Sequence, residues 1–161
     1  MLLYIVRHAP AGQHGDPRYP NDALRPLTSK GERRFARQVK RLVKRGMAPT
    51  LVATSPLVRC LQTAEILVER MRVDCKLLER EELAPGATWS DLVGWTNAEG
   101  VSEAAWVGHA PDVDQITAEL IGSAKANLSF AKGGIAAINF ADEIVPGEGD
   151  LCWFVRPKLI A

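Results

Sequence analysis

The sequence has little cysteine, almost no net charge and no long apolar run. Its three cysteines, Cys60, Cys75 and Cys152, are odd in number and widely spaced, which is typical of reduced thiols rather than a disulfide framework. Lysine and arginine total 20 against 19 acidic residues, so the formal net charge of +1 gives no support to nucleic-acid or membrane binding. The apolar stretches at both ends are too short to span a membrane, and residues 1–6 lack the basic start of a signal peptide. We therefore expect a cytoplasmic protein.

Motifs for metal and nucleotide binding are also missing. The sequence contains no HExxH pattern, no paired cysteines and no carboxylate cluster, so we expect neither a metal nor another cofactor. A GxxxxGK[ST] loop is absent as well, which argues against a nucleoside-triphosphate site of that type.

What is present fits one soluble domain covering residues 1–161. The chain is 47% hydrophobic and 24% charged, and no linker or repeat divides it. Apolar runs predict strands, and helical periodicities lie between most of them. The predicted strands cover 1–6, 51–54, 73–78, 104–107, 134–140 and 151–155. This alternation indicates an α/β fold, a three-layer sandwich in which helices cover both faces of a mostly parallel central sheet.

Local signals predict where the first two long helices begin. Ser29 and Glu32 have the spacing of a capping box, with Thr28 as a competing cap. Ser55 is predicted to cap the second helix and Pro56 to be its first residue.

Three of the predicted strands end at residues suited to binding an anion. Arg7 and His8 follow the first strand, and His109 follows the fourth. The second strand leads into a helix that carries Arg59 in its first turn. Because the carboxyl ends of parallel strands share one edge of a sheet, these side chains are expected to meet in one pocket.

The chemistry of these residues points to phosphoryl transfer. Arginine forks bind phosphate oxygens and stay charged at physiological pH. A neutral His8 could attack phosphorus through an unprotonated ring nitrogen. His109, as a donor or as an imidazolium, could stabilise charge on the transferred group.

With these residues in place, the sequence resembles the histidine phosphatase superfamily, the phosphoglycerate mutase-like proteins. The resemblance is carried by Arg7-His8, by RPLT at residues 25–28, by SPLVRCLQTA at 55–64 and by GHAP at 108–111. The RPLT segment, the ELAP loop at 82–85 and the short chain favour the SixA-type phosphohistidine phosphatases within it. One departure is Ala9, which stands where the superfamily often has glycine and is tolerable only if the backbone there is not left-handed.

The resemblance implies a mechanism. His8 would become a transient phosphohistidine that water hydrolyses to inorganic phosphate. Arg7, Arg59 and His109 would form the phosphate pocket, and Arg25 could reach the phosphate or merely brace its loop. No metal is implied.

A proton donor is the uncertain part of that implied mechanism. Relatives acting on phosphate esters use an acidic residue, and Glu82 could occupy that place. The alternative interpretation is an exposed loop carboxylate beside Glu79 and Glu81. A phosphoramidate bond has a leaving group that protonates near neutral pH, so its cleavage has less need of such an acid.

Two substrates remain open, and so does a function without catalysis. Only 24 residues separate the third strand region from the fourth (79–102), so little chain is available for a lid, which favours a phosphorylated protein of the histidine-containing phosphotransfer type. The alternatives are a phosphatase or mutase for a small phosphate ester, and a non-catalytic phosphate-binding module.

Two further features can be interpreted either as purely structural or as functional. The basic helix at 30–45 is either a solvated face or a docking surface for an acidic partner. Cys60, next to Arg59, is either a small buried filler or a reactive thiol.

Overall fold

The computed structural model describes residues 1–71 and 73–159. Within those ranges no helix combines the length and apolarity needed to cross a lipid bilayer. The strands and longer helices follow one another in the order β1 (Leu2–Arg7), α1 (Ser29–Val43), β2 (Leu51–Thr54), α2 (Val58–Arg70), β3 (Lys76–Glu79), α3 (Ser90–Ala98), β4 (Glu103–Gly108), α4 (Asp112–Leu120), β5 (Ile135–Asn139) and β6 (Asp150–Val155).

The six strands form one sheet in the order β3-β2-β4-β1-β5-β6. The first four of these run parallel, whereas β5 and β6 are antiparallel to their neighbours. Because β4 lies between β2 and β1, the three strands that carry the predicted site residues are immediate neighbours. The mostly parallel central sheet is thereby confirmed.

Helices cover both faces of the sheet because the strand side chains alternate. In β1, Leu3 and Ile5 pack into one core with residues of α3 and α4, while Tyr4 and Val6 pack into a second core with residues of α1 and α2. Parallel strands covered on both sides are almost wholly apolar, as β1 is. The predicted three-layer α/β sandwich is confirmed.

The start of α1 is fixed against the loop that follows β1. Thr28 is the cap: its hydroxyl accepts from the Gly31 amide at 3.0 Å and donates to the Pro10 carbonyl at 3.2 Å. A Cβ on Gly31 would lie 2.2 Å from that same carbonyl, so only glycine allows this approach. Thr28, and not Ser29, therefore caps the helix, since only Thr28 lies within reach of both groups.

Two other predicted boundaries were wrong. The second helix begins at Val58 after an N-cap at Leu57 that has no side-chain hydrogen bond, so Ser55 and Pro56 precede it. The Ser55 hydroxyl accepts from the Leu57 amide only at 3.4 Å and lies closer to the His109 ring, 2.9 Å from Nε2. The third strand is Lys76–Glu79 rather than 73–78.

Candidate active site

The ends of three neighbouring strands bring His8 and His109 together. His8 follows β1 directly, and its amide donates to the carbonyl of Gly108, the last residue of β4, at 3.0 Å. The two imidazole rings lie 5.4 Å apart between centroids. Both residues are buried, with 6% and 4% of their surface exposed. The predicted convergence of these strand ends is therefore present in the fold.

The surroundings of His8 hold it in the form of a nucleophile. Its Nδ1 lies 2.8 Å from the Ala9 carbonyl oxygen, which can only accept, so we assign the ring proton to Nδ1. Nε2 then keeps its lone pair. Burial, and next the charges of Arg59, Arg7 and Lys132, lower the pKa of His8 to about 4. The ring is neutral at pH 7.

The backbone beside His8 accepts an alanine without strain. Ala9 is fully buried, and positive φ angles in the described chain occur only at glycines. The Ala9 amide donates to the Thr63 hydroxyl at 3.0 Å, which ties this segment to α2. The methyl group at this position is therefore compatible with the loop.

His109 is held by two side chains from the β2–α2 region. Its Nε2 lies 2.9 Å from the Ser55 hydroxyl and 3.3 Å from the Cys60 sulfur. Burial, then the charge of Arg59 and the proximity of His8, lower the pKa of His109 to about 3. The ring therefore carries a single N–H at neutral pH. Without a bound anion, His109 is therefore a neutral hydrogen-bond donor and not an imidazolium.

Cys60 is a buried thiol. It donates to the Gly108 carbonyl at 3.5 Å, and burial raises its pKa to about 12. Such a thiol stays protonated and unreactive at neutral pH. This supports the interpretation as a small buried filler, with the addition that its sulfur packs against the His109 ring.

Arg7 and Arg59 bring two guanidinium groups to the site; Arg59 is buried and Arg7 is half-buried. Arg59 donates through Nη1 to the backbone and side chain of Asp22 at 3.0 and 3.1 Å. Arg7 donates through Nη1 to the Phe130 carbonyl at 2.5 Å. In both residues Nε is buried and finds no acceptor in the described chain. Both charges lower the pKa of His8, so both guanidinium groups lie within electrostatic range of its ring.

Asp22 is a residue of the site that the sequence did not reveal. Its carboxylate accepts from Arg25 Nε at 2.8 Å, from Arg59 Nη1 and from His14 at 3.0 Å. Hydrogen bonding by Arg25 first, and by His14 next, holds the pKa of this carboxyl well below its usual range. An acid in a polar loop three residues before an arginine is the only signal in the sequence. Asp22 supplies the counter-charge that lets the arginines gather without an anion.

Arg25 is engaged by the protein itself. Besides Asp22 it donates through Nη1 to the Gly12 carbonyl at 2.7 Å, and its side chain is only 8% exposed. Its charge lowers the pKa of Arg59 and of His109, so it lies close to both. These contacts are those of a residue that braces the loop between β1 and α1.

Glu82 lies in the 3-10 helix Glu81–Leu83, and its carboxylate accepts a short hydrogen bond from Arg80. Burial alone would raise the pKa of Glu82, but hydrogen bonds from its own amide and from Arg80 outweigh it and leave the pKa below its ordinary value. The neighbouring Leu83 packs near Gly108, so this helix borders the end of β4. Glu82 is thus near the site as an ion-paired carboxylate.

Comparison with known proteins agrees with this arrangement. The model of the histidine phosphatase superfamily (branch 1) matches residues 3–120. An uncharacterized protein of Picosynechococcus sp. is 35% identical over 144 residues, covering 86% of this chain and 84% of that protein. The structure of the protein histidine phosphatase SixA complexed with tungstate has a TM-score of 0.86 at 25% identity over the whole of both chains. A mutant phosphoserine phosphatase from Entamoeba histolytica, in complex with phosphoserine, has a TM-score of 0.68 at 15% identity over 98% of each chain.

The region matched by the family runs from β1 to the end of α4, so it contains all three strand ends that form the site. The likeness to SixA extends over the remaining strands as well. Family and fold together support phosphatase activity. The chain belongs to the histidine phosphatase superfamily, branch 1, and its structure is of the SixA type.

Proposed function

We propose that this protein is a phosphohistidine phosphatase, which removes the phosphoryl group from a phosphohistidine on a partner protein. The proposal depends above all on the neutral His8 ring, whose Nε2 is free while Nδ1 is held by the Ala9 carbonyl. Beside it, Arg7, Arg59 and His109 provide donors for a tetrahedral anion. The similar SixA structure contains tungstate, a tetrahedral oxyanion, which agrees with such a site.

In the proposed first step, His8 Nε2 attacks phosphorus while the bond from phosphorus to the substrate's imidazole nitrogen breaks. The electron pair of that bond goes to the leaving imidazole, which takes up a proton. Arg7 and Arg59 neutralise the charge on the equatorial oxygens, and His109 donates a ring N–H. The product is a phosphohistidine on the enzyme.

In the second step, water attacks the phosphorus of this intermediate. The bond to His8 Nε2 breaks and its electron pair returns to the ring, which is again neutral. Both protons of the water stay with the new phosphate, which leaves as dihydrogen phosphate and loses one of them to solvent at neutral pH. The arginines serve both steps, because the anion occupies the same place in each. No metal or other cofactor takes part in the proposal.

The state of Glu82 favours a phosphoramidate over an ester. A general acid must be protonated before it acts, whereas Glu82 is ion-paired with Arg80 and its pKa is lowered. An alkoxide leaving group needs that proton, while an imidazole protonates near neutral pH by itself. Hydrolysis of a small phosphate ester, or mutase activity on one, is therefore the second candidate, and a phosphate-binding module without turnover is the third.

The test compares substrates and traps the intermediate. Purified protein is given a phosphohistidine-carrying phosphotransfer protein, free phosphoramidate, and an alkyl phosphate such as phosphoserine, and the release of phosphate is followed. We expect the phosphoramidate-type substrates to turn over at least ~10²-fold faster than the ester, since the ester lacks a ready acid.

Rapid quenching in base, followed by mass spectrometry, should locate acid-labile phosphate on His8 and not on His14 or His109. Phosphate on His109, or hydrolysis that leaves no phosphoenzyme, would overturn the proposed mechanism. Preference for the ester would make the small-molecule activity the better assignment. Binding of phosphate without any turnover would favour the non-catalytic module.

A further inference from the structure

A basic cavity of about 550 Å³ adjoins the phosphate site. It lies between the first half of α1, the turn before β5 and the segment after β6. Its cationic lining residues are Arg34, Lys132, Arg156 and Lys158. These four charges converge on one opening, although the chain as a whole has a net charge of only +1.

The wall of the basic cavity contacts the backbone of His8. Gly133, which lines it, donates its amide to the carbonyls of His8 and Arg7 at 2.9 and 3.2 Å. Lys132 is close enough for its charge to lower the pKa of His8. Pro10, two residues after His8, forms another part of the wall. The basic cavity therefore lies next to the segment that carries His8, close enough to be reached by a substrate larger than phosphate.

The wall between these charges is apolar and rigid. Phe35 is 1% exposed, and a Cβ on Gly133, whose φ is +78°, would approach its ring to 3.3 Å. Gln38, also 1% exposed, donates to the Gly133 carbonyl at 2.8 Å, while its side-chain oxygen has no hydrogen-bond partner in the described chain. The side-chain amide of Gln38 thus holds the turn at Gly133, and its oxygen remains an unpaired acceptor in the wall of the basic cavity.

We propose that the basic cavity is a substrate subsite that takes an acidic segment next to the phosphohistidine of the partner protein. This inference rests on the proposed function and names the chemistry of its partner. The occupant combines carboxylates for Arg34, Lys132 and Arg156 with an apolar side chain for the wall that Pro10 and Pro157 form. No acidic residue lines the basic cavity in the described chain, so such a segment meets attraction throughout.

The test uses two phosphohistidine peptides of equal length, one with two glutamates beside the phosphohistidine and one with two lysines there. The Arg34→Glu/Arg156→Glu variant reverses two charges of the basic cavity. The control variant, Lys44→Glu/Lys125→Glu, makes the same charge change at exposed residues that do not line it. Thermal melting verifies that both variants fold, and free phosphoramidate reports the phosphate site alone.

We expect the wild type to show a KM about tenfold lower for the acidic peptide than for the basic one, an advantage that falls with added salt. The Arg34→Glu/Arg156→Glu variant should lose this preference while its kcat/KM for phosphoramidate stays within about twofold. The control should behave as wild type. Equal KM values for the two peptides in the wild type, or the same loss in the control, would overturn the subsite.

Failure of the proposed function has a different signature. Inactivity of the wild type on both peptides and on phosphoramidate would count against the phosphohistidine substrate. Calorimetric binding of the peptides to His8→Asn protein does not require turnover, so it then decides the subsite alone. Tighter binding of the acidic peptide, abolished by the charge reversal, supports the subsite; indifference to peptide charge refutes it.

Discussion

The two sides of the site differ in how firmly the protein holds them. On the anion side (Arg7, His8, Arg59 and His109), both imidazoles follow strand ends directly, and His8, Arg59 and His109 are at least 94% buried. On the acid side (Arg80 and Glu82), the two side chains are 28% and 21% exposed and pair with each other. In the proposed mechanism, binding of the phosphoryl group and attack by His8 therefore depend on firmly held side chains, whereas protonation of the leaving group would depend on a more exposed ion pair.

This contrast indicates which part of the site would stabilise the transition state most strongly. Buried charges and dipoles stabilise a transition state more strongly than exposed ones because little water screens them. A lowered pKa on Glu82 removes the proton that an ester leaving group would need. We infer that the substrate brings a leaving group that takes up a proton near neutral pH without a general acid from the protein.

The largest effect is expected on the anion side, at the nucleophile. His8→Ala should reduce phosphoramidate hydrolysis by ~10⁴-fold or more, because it removes the atom that bonds to phosphorus. Steady-state release of phosphate measures this loss. His14→Ala, which changes an exposed histidine, is the matched control and should keep most of the activity. Similar rates in His8→Ala and wild type would exclude His8 as the nucleophile.

The next effect concerns the guanidinium fork. Arg59→Ala should reduce kcat by about 10²–10³-fold, the usual result of removing one donor to a developing anion. Arg59→Lys should recover only part of this, because an ammonium cannot make a planar two-point contact. Arg70→Ala, at the exposed end of the same helix, is the control. A kcat equal to wild type in Arg59→Ala would show that this residue only anchors Asp22.

Burial of the two imidazoles also predicts how stability changes with pH. His8 and His109 have folded pKa values of about 4 and about 3, below the value of about 6.5 in an unfolded chain, so the unfolded state binds more protons between these limits. The stability is complete above pH 6.5 and is lost as pH falls toward the folded pKa values. For His109 alone, the loss from pH 6.5 to 5 is about 1.5 kcal/mol.

Denaturant titrations at several pH values measure this loss. His109→Gln, which cannot take up the proton, should show a shallower decline than wild type over the same pH range. Saturating inorganic phosphate should reduce the decline in wild type, since an anion favours protonated imidazoles. Parallel declines in wild type and His109→Gln would mean that the ring is not held neutral in the folded protein.

A smaller effect is expected from Ser55, a positioning residue that acts through His109. Ser55→Ala removes the hydroxyl 2.9 Å from Nε2 and should lower kcat about tenfold, because the ring loses the contact that fixes its tautomer. KM for phosphoramidate should change little. ¹⁵N NMR of the histidine rings should show a changed tautomer for His109 alone. Unchanged ring signals together with a lower melting temperature would indicate a purely structural role.

The same residues show what can be predicted from sequence. His8 and His109 could be placed because β1 and β4 are apolar runs whose ends are unambiguous, and parallel strands align their ends. The sequence predicts Ser55 as a helix cap because a serine before proline usually has that role. Its partner in the structure is His109, 54 residues away, and a local pattern does not show which distant residue a side chain will contact.

Asp22 illustrates the same limit. Asp16 and Asp22 both lie in the same polar loop a few residues before an arginine. Asp16 pairs only locally with the exposed Arg18, whereas Asp22 binds both Arg25 and the distant Arg59. The first helix gives a milder case, because the Pro10 carbonyl decides between two adjacent candidate caps in favour of Thr28. Element types follow from periodicity, whereas the partner of a polar side chain depends on the assembled fold.

The smallest effect on the hydrolysis rate is expected on the acid side, at Glu82. Glu82→Gln should change phosphoramidate hydrolysis by less than about twofold, since an imidazole leaving group protonates without help. The residual ester hydrolysis should change equally little, because Glu82 is already ionised and paired with Arg80.

Arg80→Gln should be the informative partner variant, since release of Glu82 raises its pKa and makes it a better acid. We therefore expect Arg80→Gln to increase the ester rate and Arg80→Gln/Glu82→Gln to cancel the increase. A strong loss of phosphoramidate activity in Glu82→Gln would show instead that the two sides of the site contribute alike.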